Sequence, residues 1–128
     1  MSVLRAYGDN FDVDEFLDAS DLEPCIVYYK DDPKWGTNGF HVSFSDADFG
    51  DLETLVDDAI TFLQKYQSEL KRLNLFLEVE NTHIDFPLEQ RDVFMFSDTL
   101  PAKLLALAGN LGIDIVMSYY PSSESEKD

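Results

Sequence analysis

The side chains most able to do chemistry in this chain are carboxylates, and they recur in tight groups. Asp9, Asp12, Asp14, Glu15 and Asp18 form one group, Asp31 and Asp32 a second, Asp46, Asp48 and Asp51 a third, and Asp57 and Asp58 a fourth. Oxygen donors at that density are what a hard cation such as calcium needs. Asp46-x-Asp48-x-Gly50-Asp51 resembles the opening of a calcium loop. Such a loop wants a ligand at its fifth position and glycine at its sixth, and here the two are exchanged. Its twelfth position falls on Asp57, inside a helical pattern. Asp9-Asn10-x-Asp12-x-Asp14 also offers donors, but the same spacing suits a turn that feeds a capped helix. Both stretches read as turns and caps, and no metal site is expected.

Other chemistry is thinly represented. His41 and His83 lie on the polar side of alternating segments, with no His-x-x-x-His or Cys-x-x-Cys spacing for zinc. An exposed strand histidine is the expectation for each. Cys25 is the lone cysteine, so an intrachain disulfide is excluded, and its acidic surroundings do not favour a thiolate nucleophile. No phosphate-binding loop, nucleophile elbow or dinucleotide fingerprint occurs. Neither a catalytic residue nor a cofactor is expected. Trp35 stands apart: the only tryptophan lies in the polar loop Asp31–Gly39, where it either plugs the edge of the core or anchors a partner.

The charge balance narrows the partner. Against 26 acids stand 9 Lys and Arg, a formal net charge of −17 over 128 residues. Between Gly8 and Ile60 there are 15 acids and only two bases, Lys30 and Lys34. Nucleic acid and anionic membrane surfaces would repel such a chain, whereas a basic protein would be attracted. The expected contact residues are Asp9, Asp12, Asp14, Asp31, Asp32, Trp35, Asp46, Asp48, Asp57 and Asp58. A start without an apolar stretch, and no run long enough to span a bilayer, give a cytoplasmic expectation.

Stepping along the elements, Val3–Tyr7 reads as a strand stopped by Gly8-Asp9-Asn10. Asp12, with Glu15 three residues on, caps a short helix over 12–18 that closes before Pro24. Cys25–Lys30 is rich in strand formers, and Phe40, Val42 and Phe44 alternate with His41, Ser43 and Ser45. From Asp51 to Leu73 apolar residues recur at three- and four-residue steps, which predicts one long helix of about six turns. Thr82–Leu88 is a strand whose Pro87 points to a sheet edge, and Asp92–Phe96 is a further strand. Thr99 caps a last helix over 100–111, Gly112 stops it, and Ile113–Tyr120 is the final strand. The order β-α-β-β-α-β-β-α-β specifies an α+β fold: a two-layer α/β sandwich whose mixed, largely antiparallel sheet carries its helices on one face. Residues 1–121 make a single domain, and 122–128, which lack any aliphatic side chain, are expected to be a disordered tail.

Several short motifs coincide with this order. Arg5-Ala6-Tyr7-Gly8-Asp9-Asn10-Phe11-Asp12, Leu22-Glu23-Pro24, the Leu-rich helix and Leu111-Gly112-Ile113-Asp114-Ile115 resemble a family of small bacterial domains of unknown function, themselves similar to toxin-immunity proteins. The resemblance spans about residues 3–121 and implies no catalytic residue. The chain departs from it at Asp31–Gly39, which is compact and acidic where a longer, more basic loop is the pattern. It implies a small acidic domain that binds and blocks a toxin; the charge, with no cofactor or catalytic motif, separately gives the expectation of an immunity protein that neutralises a basic toxin by occluding its active or binding site. The alternatives are an acidic protein–protein interaction module without a toxin role, and a hydrolase with an unrecognised carboxylate pair.

Overall fold

The computed structural model describes residues 2–91, 95 and 97–121. Five strands form one sheet: β1 (Ser2–Gly8), β2 (Ile26–Tyr28), β3 (Asn38–Ser45), β4 (Asn81–Glu89) and β5 (Asp114–Tyr120), in the spatial order β2-β3-β1-β4-β5. β1 pairs antiparallel with β3 and β4, and β2 with β3, while β5 runs parallel to β4. A parallel neighbour requires a crossover, and helix α4 (Ala102–Asn110) supplies it. The expected α+β architecture with a mixed, largely antiparallel sheet is present. The expected strand Asp92–Phe96 and the tail 122–128 lie outside the described residues.

Alternation decides which side of the sheet is covered. Leu4 and Ala6 of β1 stand opposite Val42 and Phe40 on one side and Ile84 and Thr82 on the other. This row packs with Phe16 of α1 (Val13–Asp18), Leu55, Ala59 and Leu63 of α2 (Leu52–Lys65), Leu70 and Leu73 of α3 (Gln67–Leu75), and Leu104 of α4 in one apolar core. Each leucine, isoleucine, valine or phenylalanine among them contributes roughly 1.5–3 kcal/mol on leaving water. The helices therefore share one face, and the residues between, from Arg5 to His41 and Asp85, fall on the other.

Four expectations need correction. The long helix is two, α2 and α3, divided at Tyr66 (φ −104°, ψ 23°). Tyr66 N–H still donates to Phe62 C=O and its own carbonyl accepts from Leu70, so helical bonding continues on both sides of the break. Leu63, Leu70 and Leu73 stay on the buried side, which is why the apolar stripe runs through it unbroken. Pro87 lies on the interior strand β4 and not at the sheet edge. The β1–β4 ladder ends at Val3↔Asp85, so the missing N–H of Pro87 falls where β4 has only β5 beside it. Helix α4 follows Pro101 and has no side-chain cap, so Thr99 does not cap it. His41 is buried, for reasons given below.

Gly112 does end α4. It has φ +68°, and Ile113 N–H reaches back to the Ala108 carbonyl at 2.9 Å, the reverse turn that closes a helix through a left-handed residue.

Candidate functional site

The strand directions give the sheet two ends, and the predicted contact acids divide between them. At the end where β1 and β2 finish and β3, β4 and β5 begin, four connections meet: 9–12, 29–37, 76–80 and 111–113. Asp12 caps α1, its carboxylate accepting from Glu15 N–H at 3.1 Å. Tyr29 donates its hydroxyl to Asp14 at 2.7 Å, which pushes the phenol pKa up, since the neighbouring carboxylate favours the protonated phenol. Asn38 donates to the Asp9 carbonyl at 3.3 Å and accepts from Lys30 N–H at 2.6 Å. Asp32 accepts from Lys34 N–H at 2.9 Å and holds the turn that carries Trp35. Asp9 N–H donates to the Glu80 carboxylate. So Asp9, Asp12, Asp14, Asp31 and Asp32 are brought to one end, with Glu78 and Glu80 added.

Two leucines that sequence reasoning missed sit at this end. Leu75 and Leu77 are 84 % and 79 % exposed, while Phe76 between them packs edge-on against Phe11 and Phe16. The anchored phenylalanine leaves its neighbours facing solvent. The turn is held tightly: Glu80 N–H bonds to Tyr7 C=O at 2.9 Å, Glu78 takes φ +70°, and a Cβ on Gly8 would lie 2.1 Å from the Glu78 carbonyl oxygen. The legible signal was the Leu75-Phe76-Leu77 run at the end of an amphipathic helix, where only one of three apolar residues can face inward.

Asp46, Asp48, Asp57 and Asp58 are not with them. They lie toward the opposite end, after β3 and on the first half of α2, where Asp58 accepts from Ser45 Oγ at 2.6 Å. Asp51 caps α2, and its bonds from Thr54 hold its carboxyl below the usual range. Among the described residues no three His, Cys, Asp or Glu side chains form a group that could hold a metal ion.

The helix-free face has its own polar order, also missed. Trp35 folds over it and stacks on Tyr28, ring centroids 4.4 Å apart, and both meet the edge of His41 at 5.2–5.3 Å. Lys34 Nζ lies 5.0 Å from the indole centroid on its own loop. Tyr28 reaches this position because it crosses Gly39, where a Cβ would come within 2.7 Å of its ring. His41 is thereby 4 % exposed, and its Nε2 has no hydrogen-bond partner among the described residues. Burial first, then the charges of Arg5 and His83, push its pKa down to about 4, so the ring is neutral at pH 7. Beside it Arg5 lies 3.4 Å from the buried Asp85, which also accepts from Ser118 Oγ at 2.7 Å. Ser118 is thus bonded to a carboxylate, and His83 Nδ1 faces Asn81 Oδ1 at 2.7 Å. Ser118 therefore faces a carboxylate and not a histidine base, while Arg5 Nε, like His41 Nε2, is buried without a hydrogen-bond partner among the described residues.

No family model, curated protein or solved structure matches this chain.

Among the described residues no helix is long and apolar enough to cross a membrane. Chemically, this end of the sheet presents carboxylates on its connections together with two exposed leucines.

Proposed function

We propose that this chain is an immunity-type binding protein that neutralises a basic protein, a toxin domain, in the cytoplasm by covering its active or binding site. The observation that carries the reading is that Asp9, Asp12, Asp14, Asp31 and Asp32 share one end of the sheet with the exposed Leu75 and Leu77. Interfaces combine apolar anchors that exclude water with a charged rim that steers encounter. The resemblance of its short motifs to immunity-like domains suits the same reading, and the net charge of −17 favours a cationic protein over nucleic acid or membrane.

The test is co-expression with basic toxin-like domains encoded beside this chain, followed by binding kinetics on the pair that restores growth. Asp31→Lys with Asp32→Lys is expected to slow association, most at low salt, because steering acts beyond contact and is screened within about 8 Å at physiological ionic strength. Leu75→Ser with Leu77→Ser is expected to speed dissociation by about 2 kcal/mol or more, the usual effect of removing central anchors. Loss of affinity that follows total charge alone, with the leucine variant silent, would mean nonspecific attraction and defeat the proposal.

A further inference from the structure

The opposite end of the sheet holds a cavity of about 570 Å³ on the helix-free face. Phe49 and Tyr120 form one wall, in edge contact at 6.2 Å, and Cys25 and Ser43 form another. Asp46 and Asp48 stand in its lining, both exposed. Ser2, also in the lining, is 4 % exposed, and its hydroxyl makes no hydrogen bond among the described residues. Apolar walls with carboxylates and a hydroxyl match a cation on an aliphatic stem. The stem takes the walls, the aromatic faces and carboxylates take the charge.

The strand beside this cavity has a bare edge. β2 pairs with β3 only from Gly39 to His41, and Cys25 N–H donates to the His41 carbonyl at 2.8 Å. The His41 backbone therefore points away from β1, and by the two-residue period so does that of Ser43. Ser43 is exposed, and its outward N–H and C=O have no backbone partner among the described residues. The register shift between Val3↔Ser43 and Ser2↔Ser45 ends regular pairing just beyond it, which limits an added strand to a few residues. On the other face of the same edge a second cavity of about 280 Å³ is lined by Ser43, Glu23, Asp58 and Lys65. One edge residue thus borders a cavity on each face. This is the arrangement by which a short extended peptide is read, backbone to backbone, with alternate side chains in alternate pockets.

We propose that Ser43 and the two cavities form a docking site for a short extended segment of a basic protein, with an arginine or lysine in the Asp46/Asp48 cavity and small polar neighbours in the other. The site lies at the far end of the sheet from Asp31, Asp32, Leu75 and Leu77, so it stands or falls separately from the partner surface proposed above.

The probe is the capped pentapeptide Ser-Thr-Arg-Thr-Ser, titrated into the full chain by calorimetry and by amide NMR. It should bind about tenfold or more tighter than Ser-Thr-Glu-Thr-Ser, shifting Ser43 and Asp48 amides and slowing Ser43 amide exchange. Asp46→Asn with Asp48→Asn should remove that preference. Ser43→Pro deletes the outward N–H, and N-methylation of the peptide backbone deletes its counterpart without touching the protein. Each should weaken binding by about tenfold. Equal binding to wild type and the Asp46/Asp48 variant would overturn the proposal, as would shifts confined to Asp31, Asp32 and Leu77. If agmatine alone binds as tightly as the peptide, and N-methylation has no effect, the cavity takes a free organic cation and the strand-pairing proposal fails. Self-association lost in Ser43→Pro would name a second copy as the occupant and equally overturn it.

Discussion

His41 is held neutral by the stack above it and the guanidinium beside it, and that has a pH signature. Its folded pKa, about 4, lies below the ordinary 6.5, burial being the main cause and Arg5 and His83 adding to it. An unfolded chain takes up the proton first as pH falls. The stabilisation is therefore complete above pH 6.5 and is lost progressively as pH drops toward 4. Protonating 26 acids works the other way, by relieving repulsion, so the difference between proteins is the proper readout. In urea denaturation at pH 7.5, 6 and 4.5, the gap between wild type and His41→Phe is expected to narrow or reverse in favour of the variant as pH falls. A gap that stays constant with pH would mean that His41 carries the same charge in both states. His83, whose pKa is also lowered by burial and by Arg5, is opposed by Asp85 and Asp114 and should contribute less.

Elements are where the sequence was most and least legible. The alternation in Phe40–Ser45 assigned the covered face correctly for Phe40, Val42 and Phe44, because a half-buried strand has only one way to hide its apolar side. The same alternation made His41 look solvated. What buries it is a tryptophan six residues earlier in a loop and a tyrosine crossing Gly39, contacts with no periodicity to read. The division at Tyr66 escaped for a related reason: no proline or glycine marks it, and the buried leucines keep their phase on both sides. The Leu75-Phe76-Leu77 run signals that only one of its three apolar residues can face inward, but not that Phe76 is the one. Gly112, by contrast, announced itself, and its role can be tested. Gly112→Ala would hold a side chain at φ +68° with its Cβ 2.1 Å from Asn74 Oδ1. The expected loss is about 1–2 kcal/mol for the left-handed backbone, since Asn74 can swing aside. A thermal melt that does not fall would show that the turn after α4 relaxes to another conformation.

For the whole molecule the governing quantity is the charge of −17. Only three ion pairs occur among the described residues, Arg5–Asp85, Arg72–Glu69 and Arg91–Asp98, so most acids repel one another across the surface. Screening that repulsion should stabilise the fold. Raising NaCl from about 0.02 M to about 0.5 M is expected to raise the melting temperature by a few degrees, of order 1 kcal/mol. A melting temperature that falls with salt would mean that specific pairs outweigh the general repulsion. The same salt should slow association with a basic partner, so folding and binding respond to ionic strength in opposite senses.

The strand order also has a consequence in time. β1 occupies the middle of the sheet, yet it precedes both its partners, β3 and β4, which begin about thirty and about seventy residues after it ends. As the polypeptide leaves the ribosome, β1 and β3 can meet with α1 across them while the flank meant for β4 is still bare. That flank carries Val3, Leu4 and Ala6, with no proline or lysine to discourage a stranger. Whatever shields it during synthesis protects the chain from pairing with its own neighbours on the same message.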